Sequence, residues 1–310
     1  MDLRQLRYFV AIAEAGSLSA AADGLGVAQS ALSRHLAGLE HALGARLFDR
    51  GRRGVSPTGA GALLLGRARA ILAEIEATRA ELTAGAGQLR GRVAIATSSS
   101  VANALYGPLA LRLSREHPGL MLDFHEGQDD LIERLAQGRL DLAIVTTSDR
   151  SGLVSFRPLY AEPVWLIGPA GDSMLGPGLG SESITLEQAL GRELVLPVGE
   201  ASLAWLHERC RMLDLAPRCR LHAESLDTIR ELVRLGLGCA LLPYAAMAPE
   251  LTAGTFAGAP IQGFELVRRL GTPRGRGHGR AARVVADAIT DEVTRLILAG
   301  DIPGARLTGP

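Results

Sequence analysis

The chain has 310 residues, which is long enough for two or three domains with a sizeable core, and its 33 basic residues balance its 33 acidic ones. Every basic residue is an arginine. The absence of lysine excludes a P-loop and a Schiff base to pyridoxal phosphate. The three cysteines, Cys210, Cys219 and Cys239, form no CxxC pair. We therefore expect neither a disulfide framework nor a structural zinc site, and a reducing compartment suits these thiols.

The N-terminal segment and the charge distribution indicate the cellular compartment of the protein and the charge of its binding partner. The opening segment, MDLRQLRYFV, lacks the basic and then apolar order of a signal peptide. No run of about 18 apolar residues occurs, so we expect a cytoplasmic protein without membrane contact. Residues 1–92 carry a net charge of +4 and residues 93–310 one of −4. This asymmetry favours a basic module that meets a polyanion, joined to a more acidic body; uneven surface charge without a function is the alternative.

The first 45 residues predict three short helices separated by tight turns. Gly16 and Gly26 end the first two helices, and Ser17 suits the N-cap of the second. The third helix opens at Gln29 and points four leucines into a core, while its opposite face carries Ser30, Ser33, Arg34, Ala37 and His41. A face of small and polar residues after a glycine turn is typical of a helix-turn-helix that enters a DNA groove. A helical bundle with a solvated face is the alternative.

An arginine-rich segment follows the third helix. Between Phe48 and Val55, the side chains of Arg50, Arg52 and Arg53 lie beside two glycines. Arginines on such a flexible loop can lie along phosphates or enter a narrow minor groove, as those of a wing do. A solvated surface turn is the alternative interpretation.

A long helix is predicted from Pro57 onwards. Its heptad seam, apolar except at one threonine, runs through Leu64, Ala68, Ile71, Ile75, Thr78 and Leu82. Roughly 26 residues form a rod of ~39 Å, whose seam needs a partner helix, so we expect dimerisation through it. Packing of the seam on the chain's own body is the alternative. We expect Gly85–Gly87 to end the rod as a hinge.

From Val93 onwards the sequence alternates between strands and helices. Such alternation predicts a parallel sheet covered by helices, arranged in two α/β units. The predicted strands cover residues 93–97, 121–126, 140–145, 164–167, 193–196 and 239–242, and the predicted helices residues 103–116, 131–137, 203–213, 228–235 and 283–298. Residues 271–280 are rich in glycine and arginine and predict a mobile loop, and residues 301–310 a disordered tail.

One long segment makes the sequence similar to a known family. The segment GSLSAAADGLGVAQSALSRHLAGLEHALGARLFDRGRRGVSPTGAG, from Gly16 to Gly61, resembles the DNA-binding region of LysR-type transcriptional regulators. Ala28 and Ser30 stand where the family usually has serine and proline, which affects the bases that are read rather than the binding of DNA. Nearly the whole chain shares the resemblance, through shorter matches at 91–93, 140–144 and 236–243. Within the family the sequence is most similar to the nitrogen-assimilation-control-like branch.

The resemblance implies an α+β fold in three parts. They are a winged helix-turn-helix at residues 1–58, a linker helix with a hinge at 59–90, and a two-lobed α/β effector domain like a periplasmic binding protein at 91–300. Lobe I comprises residues 91–161 and 268–300, and lobe II residues 162–267. The family also implies a tetramer built from two dimers, which binds an interrupted palindrome in promoter DNA and can contact RNA polymerase.

Transferred by position, the resemblance also assigns the DNA contacts. It implies that Gln29, Ser30, Ser33 and Arg34 face base edges in the major groove. Arg53 enters the minor groove, with Arg50 and Arg52 beside it on the wing. The side-chain chemistry agrees, because glutamine can pair bidentately with adenine and arginine with guanine.

Polar residues that follow the predicted strands indicate an effector pocket. On one lobe they are Ser98, Ser99, Ser100, Gln128, Asp129, Thr146 and Thr147, and on the other Val198, Glu200, Ser202, Glu224 and Ser225. Ligands bind at the carboxyl ends of parallel strands, and hydroxyls at a helix N-terminus favour a small anion. Ordinary helix capping is the alternative for the hydroxyls. Asp129 and Glu200 would repel an anion, so a regulator without a small-molecule effector stays open.

Three other hypotheses remain. Cys210 and Cys219 lie nine residues apart among arginines, so a peroxide-sensing pair is considered, although buried and inert thiols are the simpler interpretation. The sequence has no catalytic motif, metal-ligand spacing or cofactor motif, so we expect no enzyme, metal or cofactor. The alternative of another class is a cytosolic solute-binding protein whose N-terminal helices only dimerise, and it leaves the arginine-rich segment unexplained.

Overall fold

The computed structural model describes residues 1–51, 54–83, 89–127, 129–146, 152–172, 174–176, 181–198, 200–274 and 279–308. At positions 50, 77, 80–83 and 200–202 only the backbone is described. The predicted hinge and four of the predicted site residues lie outside the described residues, namely Gly85–Gly87, Arg52, Arg53, Gln128 and Thr147.

Three helices and a hairpin form the N-terminal part of the structure. They are α1 (Leu3–Ala15), α2 (Leu18–Leu25), α3 (Gln29–Leu43), β1 (Phe48–Gly51) and β2 (Gly54–Pro57). Asp2 and Gln5 form a reciprocal capping box at the start of α1, and Ser17 caps α2 as predicted. Ala28 occupies the N-cap of α3 and offers no side-chain hydrogen bond. One core unites these elements, made by Leu6, Phe9, Ile12, Ala21, Ala22, Leu32, Leu36, Leu39, Leu47 and Phe48. The predicted helix-turn-helix is confirmed.

The hairpin approaches the turn after α1 so closely that one glycine is required. A Cβ atom at Gly54 would lie 2.3 Å from the carbonyl oxygen of Gly16, and Gly54 has a φ of +116°. The same carbonyl oxygen accepts a hydrogen bond from the N–H of Val55 at 2.9 Å. Any side chain at position 54 would therefore push the wing off the first helix.

A second close approach fixes where the next helix begins. The linker helix α4 (Gly59–Thr83) starts after Pro57, which ends β2, and not at Pro57 as predicted. A Cβ atom at Gly61 would lie 2.0 Å from the carbonyl oxygen of Leu47. The hydroxyl of Thr58 donates to the carbonyl oxygen of Arg46 at 2.7 Å and accepts from the N–H of Gly61 at 3.0 Å. The Thr-x-x-Gly pattern thus joins the wing to the linker helix.

The linker helix α4 divides its apolar face between two environments. Its 25 residues give a length of about 38 Å at the usual rise. Ala68 of the seam is buried in the N-terminal core, and Leu64 of the seam packs against that core. The alternative of packing on the chain's own body therefore holds for this part of the seam, beside which Leu65 is also buried. Leu63 is 62% exposed and Ile71 is 38% exposed, so the helix also presents apolar surface that its own chain leaves uncovered.

In the C-terminal part, the described residues form a sheet of nine strands. The strands are β3 (Arg90–Thr97), β4 (Gly119–Glu126), β5 (Leu142–Val145), β6 (Val154–Pro169), β7 (Leu194–Pro197), β8 (Cys219–Ala223), β9 (Cys239–Pro243), β10 (Phe256–Pro273) and β11 (Arg306–Leu307). Their order is β4-β3-β5-β10-β6-β9-β7-β8, with β11 paired to β6.

The predicted parallel pairing is found within each α/β unit but does not extend across the connection between the units. Strand β3 runs parallel to β4 and β5, and β7 runs parallel to β8 and β9, as expected within each α/β unit. The two units are joined by β6 and β10, which pair antiparallel along most of their length. Proline and glycine residues interrupt the pattern of both strands, so only a fragment of β6 was predicted, at 164–167, and β10 was not predicted.

Helices cover both α/β units. They are α5 (Ser99–Glu116), α6 (Leu131–Ala136), α7 (Leu186–Leu190), α8 (Glu200–Leu213), α9 (Leu226–Arg234), α10 (Ala248–Thr252) and α11 (Arg280–Ala299). Helices α5 and α11 share one core with β3 and β5, whereas α7 and α8 share another with β7 and β9. Among the described residues, no helix combines the length and the apolar character that crossing a bilayer requires.

Two segments predicted to be irregular are ordered. Residues 301–308 are not a disordered tail, because Ile302 is buried and β11 pairs with β6. Residues 271–273 belong to β10, and the N–H of Arg274 donates to the carbonyl oxygen of Leu153 at 2.7 Å. The predictions of a tail at 301–310 and a loop at 271–280 are wrong for these residues, since pairing with β6 outweighs the local glycine content. Residues 275–278 and 309–310 lie outside the described residues.

The close approach at Gly61 predicts the effect of one methyl group. We expect Gly61→Ala to destabilise the N-terminal part by about 1–3 kcal/mol, because the methyl group meets a backbone oxygen that only a shift of β1 can move. Native-state hydrogen exchange of α3 measures this loss. Gly59→Ala is the matched control, since a Cβ atom there meets nothing within 4 Å. Equal effects of the two substitutions would contradict the prediction.

Candidate nucleic-acid interface and effector cavity

Helix α3 presents the polar face that the sequence predicted. Gln29, Ser30 and Arg34 are exposed, and Ser33 is half-buried. On the opposite side Leu32 and its neighbours in the N-terminal core hold the helix in place. These side chains therefore project from a rigid support.

Two contacts fix the orientation of α3 on its neighbours. The ring of His35 packs edge-on against that of Tyr8 on α1, with their centres 5.1 Å apart. Oε1 of Glu40 accepts a hydrogen bond from the N–H of Leu47 at 2.7 Å, just before the hairpin. Helix α3 and the hairpin therefore form one unit. Strand β1 includes Arg50, whose side chain is not described.

A cavity of about 260 Å³ lies between the two α/β units. Six residues predicted for the effector pocket line it, namely Ser98, Ser99, Ser100, Asp129, Val198 and Glu224. The remaining lining residues are Gly127, Pro197, Leu226, Ile229 and Leu242. Leu226, Ile229 and Leu242 were missed, because in sequence they are indistinguishable from core residues.

The serine side of the cavity rests on a buried ion pair. Nε of Arg268 on β10 lies 2.6 Å from Oε1 of Glu162 on β6, and both side chains are 3% exposed. The guanidinium also lies 3.5 Å from the hydroxyl oxygens of both Ser98 and Ser100. Those hydroxyl oxygens are 3.1 Å apart. Burial and the charge of Glu162 raise the pKa of the adjacent Tyr160, so its hydroxyl stays neutral.

Sequence reasoning missed this ion pair. Its partners are separated by 106 residues and lie on two strands that were largely not predicted. The signal available in the sequence is a charged residue inside an apolar run, in Tyr-Ala-Glu-Pro-Val around Glu162 and in Leu-Val-Arg-Arg-Leu around Arg268.

Two residues predicted for the pocket, Ser225 and Thr146, have other contacts. The hydroxyl of Ser225 accepts from the N–H groups of Asp227 and Thr228, so it caps α9 as the alternative interpretation had it. The carbonyl oxygen of Thr146 accepts from Arg269 at 2.9 Å, and Thr146 is not among the described lining residues. Glu200 and Ser202 lie in the first turn of α8, where only the backbone is described.

The three cysteines are free thiols. Cys210 lies on α8 with its side chain buried in the core that α8 shares with β7 and β9, and burial raises its pKa. Burial is also the main cause of the raised pKa of Cys239. Cys219 is half-buried, and its Sγ lies 3.3 Å from the carbonyl oxygen of Leu221 and 3.6 Å from Nε2 of His222. Two of the thiols are therefore held in the protonated form, which is the less reactive one.

Comparison with known families agrees with both sites. The profile described as "Bacterial regulatory helix-turn-helix protein, lysR family" matches residues 3–62. The profile described as "LysR substrate binding domain" matches residues 86–294. The chain belongs to the LysR family of transcriptional regulators. The proteins of this family regulate transcription by binding DNA, which the sequence resemblance had implied for this chain.

The relatives of this LysR protein include two groups of regulators. The nitrogen assimilation regulatory protein nac of Klebsiella aerogenes is 33% identical over 250 residues, covering 79% of each chain. A probable hydrogen peroxide-inducible genes activator of Streptomyces viridosporus is 33% identical over 309 residues, covering 96% of this chain and 97% of that protein. The resemblance to the nitrogen-assimilation branch is confirmed, and it is matched by one to the peroxide-responsive group.

Solved structures of LysR regulators share the architecture of this chain. Full-length OxyR from Pseudomonas aeruginosa superposes with a TM-score of 0.71 at 27% identity, covering 93% of this chain and 94% of that one. ArgP from Mycobacterium tuberculosis superposes with a TM-score of 0.74 at 20% identity, covering 95% and 98%. The predicted α+β fold, with an N-terminal helix-turn-helix and a C-terminal effector-binding domain, is confirmed.

The buried ion pair predicts a large and specific loss of stability. We expect Glu162→Gln to destabilise the effector domain by about 3–5 kcal/mol, because it leaves the charge of Arg268 buried without its counter-ion. Urea unfolding followed by tryptophan fluorescence isolates this domain, since both tryptophans, Trp165 and Trp205, lie in it. The control is Glu265→Gln.

Glu265 forms an ion pair with Arg306 at 2.6 Å, and the Arg306 side chain is 60% exposed. Removing the charge of Glu265 is expected to cost at most about 1 kcal/mol, because surface pairs contribute little. If the two glutamine variants unfold at the same urea concentration, the structural role assigned to Arg268 and Glu162 is wrong.

Proposed function

We propose that this LysR regulator reads promoter DNA with α3 and the wing, and that a small molecule bound between its two lobes changes its activity. The observation that carries the proposal is the exposed polar face of α3 on a rigid support. Gln29 and Arg34 have the donors and acceptors that distinguish base pairs in the major groove. Ser30 and Ser33 are small enough to let the helix approach the base edges. On the wing we assign Arg50, Arg52 and Arg53 to the DNA backbone and minor groove.

The proposal includes the division of the chain into a DNA-binding domain at 1–58, a linker at 59–90 and an effector domain at 91–300. The match of residues 3–62 to a DNA-binding family supports this reading over that of a solute-binding protein. Since the partner is chromosomal promoter DNA, we place the protein in the cytoplasm, where RNA polymerase is a further candidate partner.

We propose that the protein works as a homodimer or homotetramer. The exposed apolar side chains of Leu63 and Ile71 on α4 support pairing of two linker helices. The effector domain exposes Leu111, Met121 and Met212 as well, at 55%, 65% and 69%. Contacts through both regions would give a tetramer that reads two half-sites of a palindrome.

Removing the guanidinium of Arg34 tests the reading face. Using a duplex selected in vitro by the wild-type protein, we expect Arg34→Ala to weaken binding by about 1–3 kcal/mol and to reduce discrimination against a mismatched half-site. Fluorescence anisotropy at fixed salt measures both effects. Arg115→Ala removes the same charge from the exposed end of α5 and serves as the control. Wild-type affinity of the Arg34 variant would refute the assignment.

The lining of the cavity indicates the chemistry of the effector. On one side it has the N-terminus of α5 with three serines, which suits a carboxylate, as the sequence predicted. The lining also includes the carboxylates of Asp129 and Glu224, which suit an ammonium group. Val198, Leu226 and Ile229 provide an apolar wall. We therefore propose a small zwitterion of amino-acid size, rather than the simple anion expected from the sequence.

Thermal shift assays with matched ligands test this effector class. Three compounds of one carbon skeleton are compared: with a carboxylate, with an amine, and with both. We expect only the zwitterion to raise the Tm, because it alone pairs with both the serine side and the carboxylates of the cavity. A ligand at about 100 times its Kd adds about 2.7 kcal/mol of stability, which is enough to detect as a Tm shift. Glu224→Gln should weaken that shift. Stabilisation by the compound that has only a carboxylate would instead support a simple anion as the effector. If no zwitterion raises the Tm, a regulator without a small-molecule effector is favoured.

The second candidate function is redox sensing through Cys210 and Cys219. The named similarity to hydrogen peroxide-inducible activators favours it. The burial of Cys210 and its raised pKa oppose it. Mild peroxide treatment followed by mass spectrometry decides between the two. We expect no intramolecular disulfide, and a Cys210–Cys219 disulfide formed with reduction of one peroxide to two waters would make redox sensing the better function.

A further inference from the structure

Helix α6 reaches from the effector cavity to the linker helix. Asp129 lines the cavity just before the helix, and Asp130 forms its N-cap with a φ of 57°. This left-handed conformation is strained for a residue with a side chain. At the other end of α6 the C-cap is Gln137, whose carbonyl oxygen accepts a hydrogen bond from NH1 of Arg69 at 3.3 Å. One end of this short helix thus lies at the effector cavity, and the other contacts the linker helix α4.

Arg69 joins three elements with a single side chain. It lies on α4, and its side chain is only 12% exposed. Its Nε and NH2 groups lie 3.2 and 2.8 Å from Oε1 of Glu14 near the end of α1. Its NH1 group donates a hydrogen bond to the carbonyl oxygen of Gln137 on the effector domain. A planar guanidinium with its donors in a fixed fork is suited to hold two acceptors at a set separation.

Both parts joined by Arg69 are packed into hydrophobic cores. Leu131 and Leu135 bury the inner face of α6 against β5 and the start of β6, so a displacement at one end of the helix reaches the other. Helix α1 shares its core with α3, through Phe9 and Leu36 among others. Arg69 and Glu14 therefore connect Gln137 to the core that holds the DNA-reading helix.

We propose that α6 and Arg69 form the link through which occupancy of the cavity sets the orientation of the DNA-reading helix in the same chain. Arg69 is a positioning residue in this proposal, which rests on the proposed function of both sites. Coupling between two sites is reciprocal, so DNA binding must also change the cavity end of α6. This reciprocity allows a test that needs no identified effector.

The test is hydrogen exchange of the full-length protein with and without a duplex selected in vitro by the wild-type protein. For wild type we expect the exchange rates of the segment 129–137 to change by about five-fold or more on DNA binding. Arg69→Ala should reduce that change to below about two-fold. Arg79→Ala is the matched control, because Arg79 pairs with Glu76 on α4 itself. It should respond as wild type does.

A charge swap separates the link from the stability of the α1–α4 contact. In the double variant E14R/R69E the ion pair between α1 and α4 is kept with its charges reversed. The carboxylate at position 69 has no N–H to donate to the carbonyl oxygen of Gln137. We expect this variant to melt within a few degrees of wild type and to bind the duplex, yet to lose the response of segment 129–137. A merely structural role for Arg69 predicts the opposite, since restoring the ion pair would then restore the response.

The outcomes decide the proposal. If segment 129–137 responds equally in wild type, Arg69→Ala and the swap, or does not respond in wild type, the link does not exist. If the wild-type protein selects no duplex at all, the proposed DNA-reading surface fails, and the link fails with it. Loss of the response in Arg69→Ala and in the swap, with DNA binding retained, supports the link.

Discussion

The effector domain depends on the buried ion pair between Arg268 and Glu162. Each of these charges is tolerated in the interior only because the other is within hydrogen-bond distance. They lie on the two strands that connect the α/β units, and the guanidinium also reaches Ser98 and Ser100 at the cavity. Moving these serines away would leave buried donors of Arg268 without acceptors, which is costly. The cavity wall is therefore part of the framework and not an appendage to it.

The same pair specifies how β6 and β10 align. Their pairing shifts register twice, once between Pro260 and Glu265 and once between Arg268 and Arg269. A further slip by one residue would turn Arg268 to the other face of the sheet and away from Glu162. Since β6 and β10 are the connection between the lobes, fixing their register also fixes the relative position of the two lobes. A polar pair achieves this more selectively than another apolar contact would, because apolar side chains pack in many registers.

The sequence predicted those features whose signals are local. Helical periodicity and caps such as Ser17 lie within a few residues of each other, so the helix-turn-helix was predicted closely. Strand ends and helix starts also placed Ser98 and Asp129 at the cavity. Most of β6 and all of β10 were missed, because their prolines and Glu162 are acceptable only when a distant strand supplies the pairing and the counter-charge. Local glycine content misled the prediction for residues 271–273, whose order comes from pairing with β6.

The stiffness of the two halves restricts where communication between them can occur. Leu65 and Ala68 tie α4 into the N-terminal core, so the linker helix moves with the DNA-binding domain. A relative motion of the halves must then be accommodated at contacts between α4 and the effector domain. Apolar packing changes gradually with displacement, whereas a hydrogen bond to a single carbonyl oxygen is lost over a short distance. Arg69 makes such a bond to Gln137. Because its guanidinium is planar and rigid, a displacement of Gln137 would also move the donors that bind Glu14 on α1.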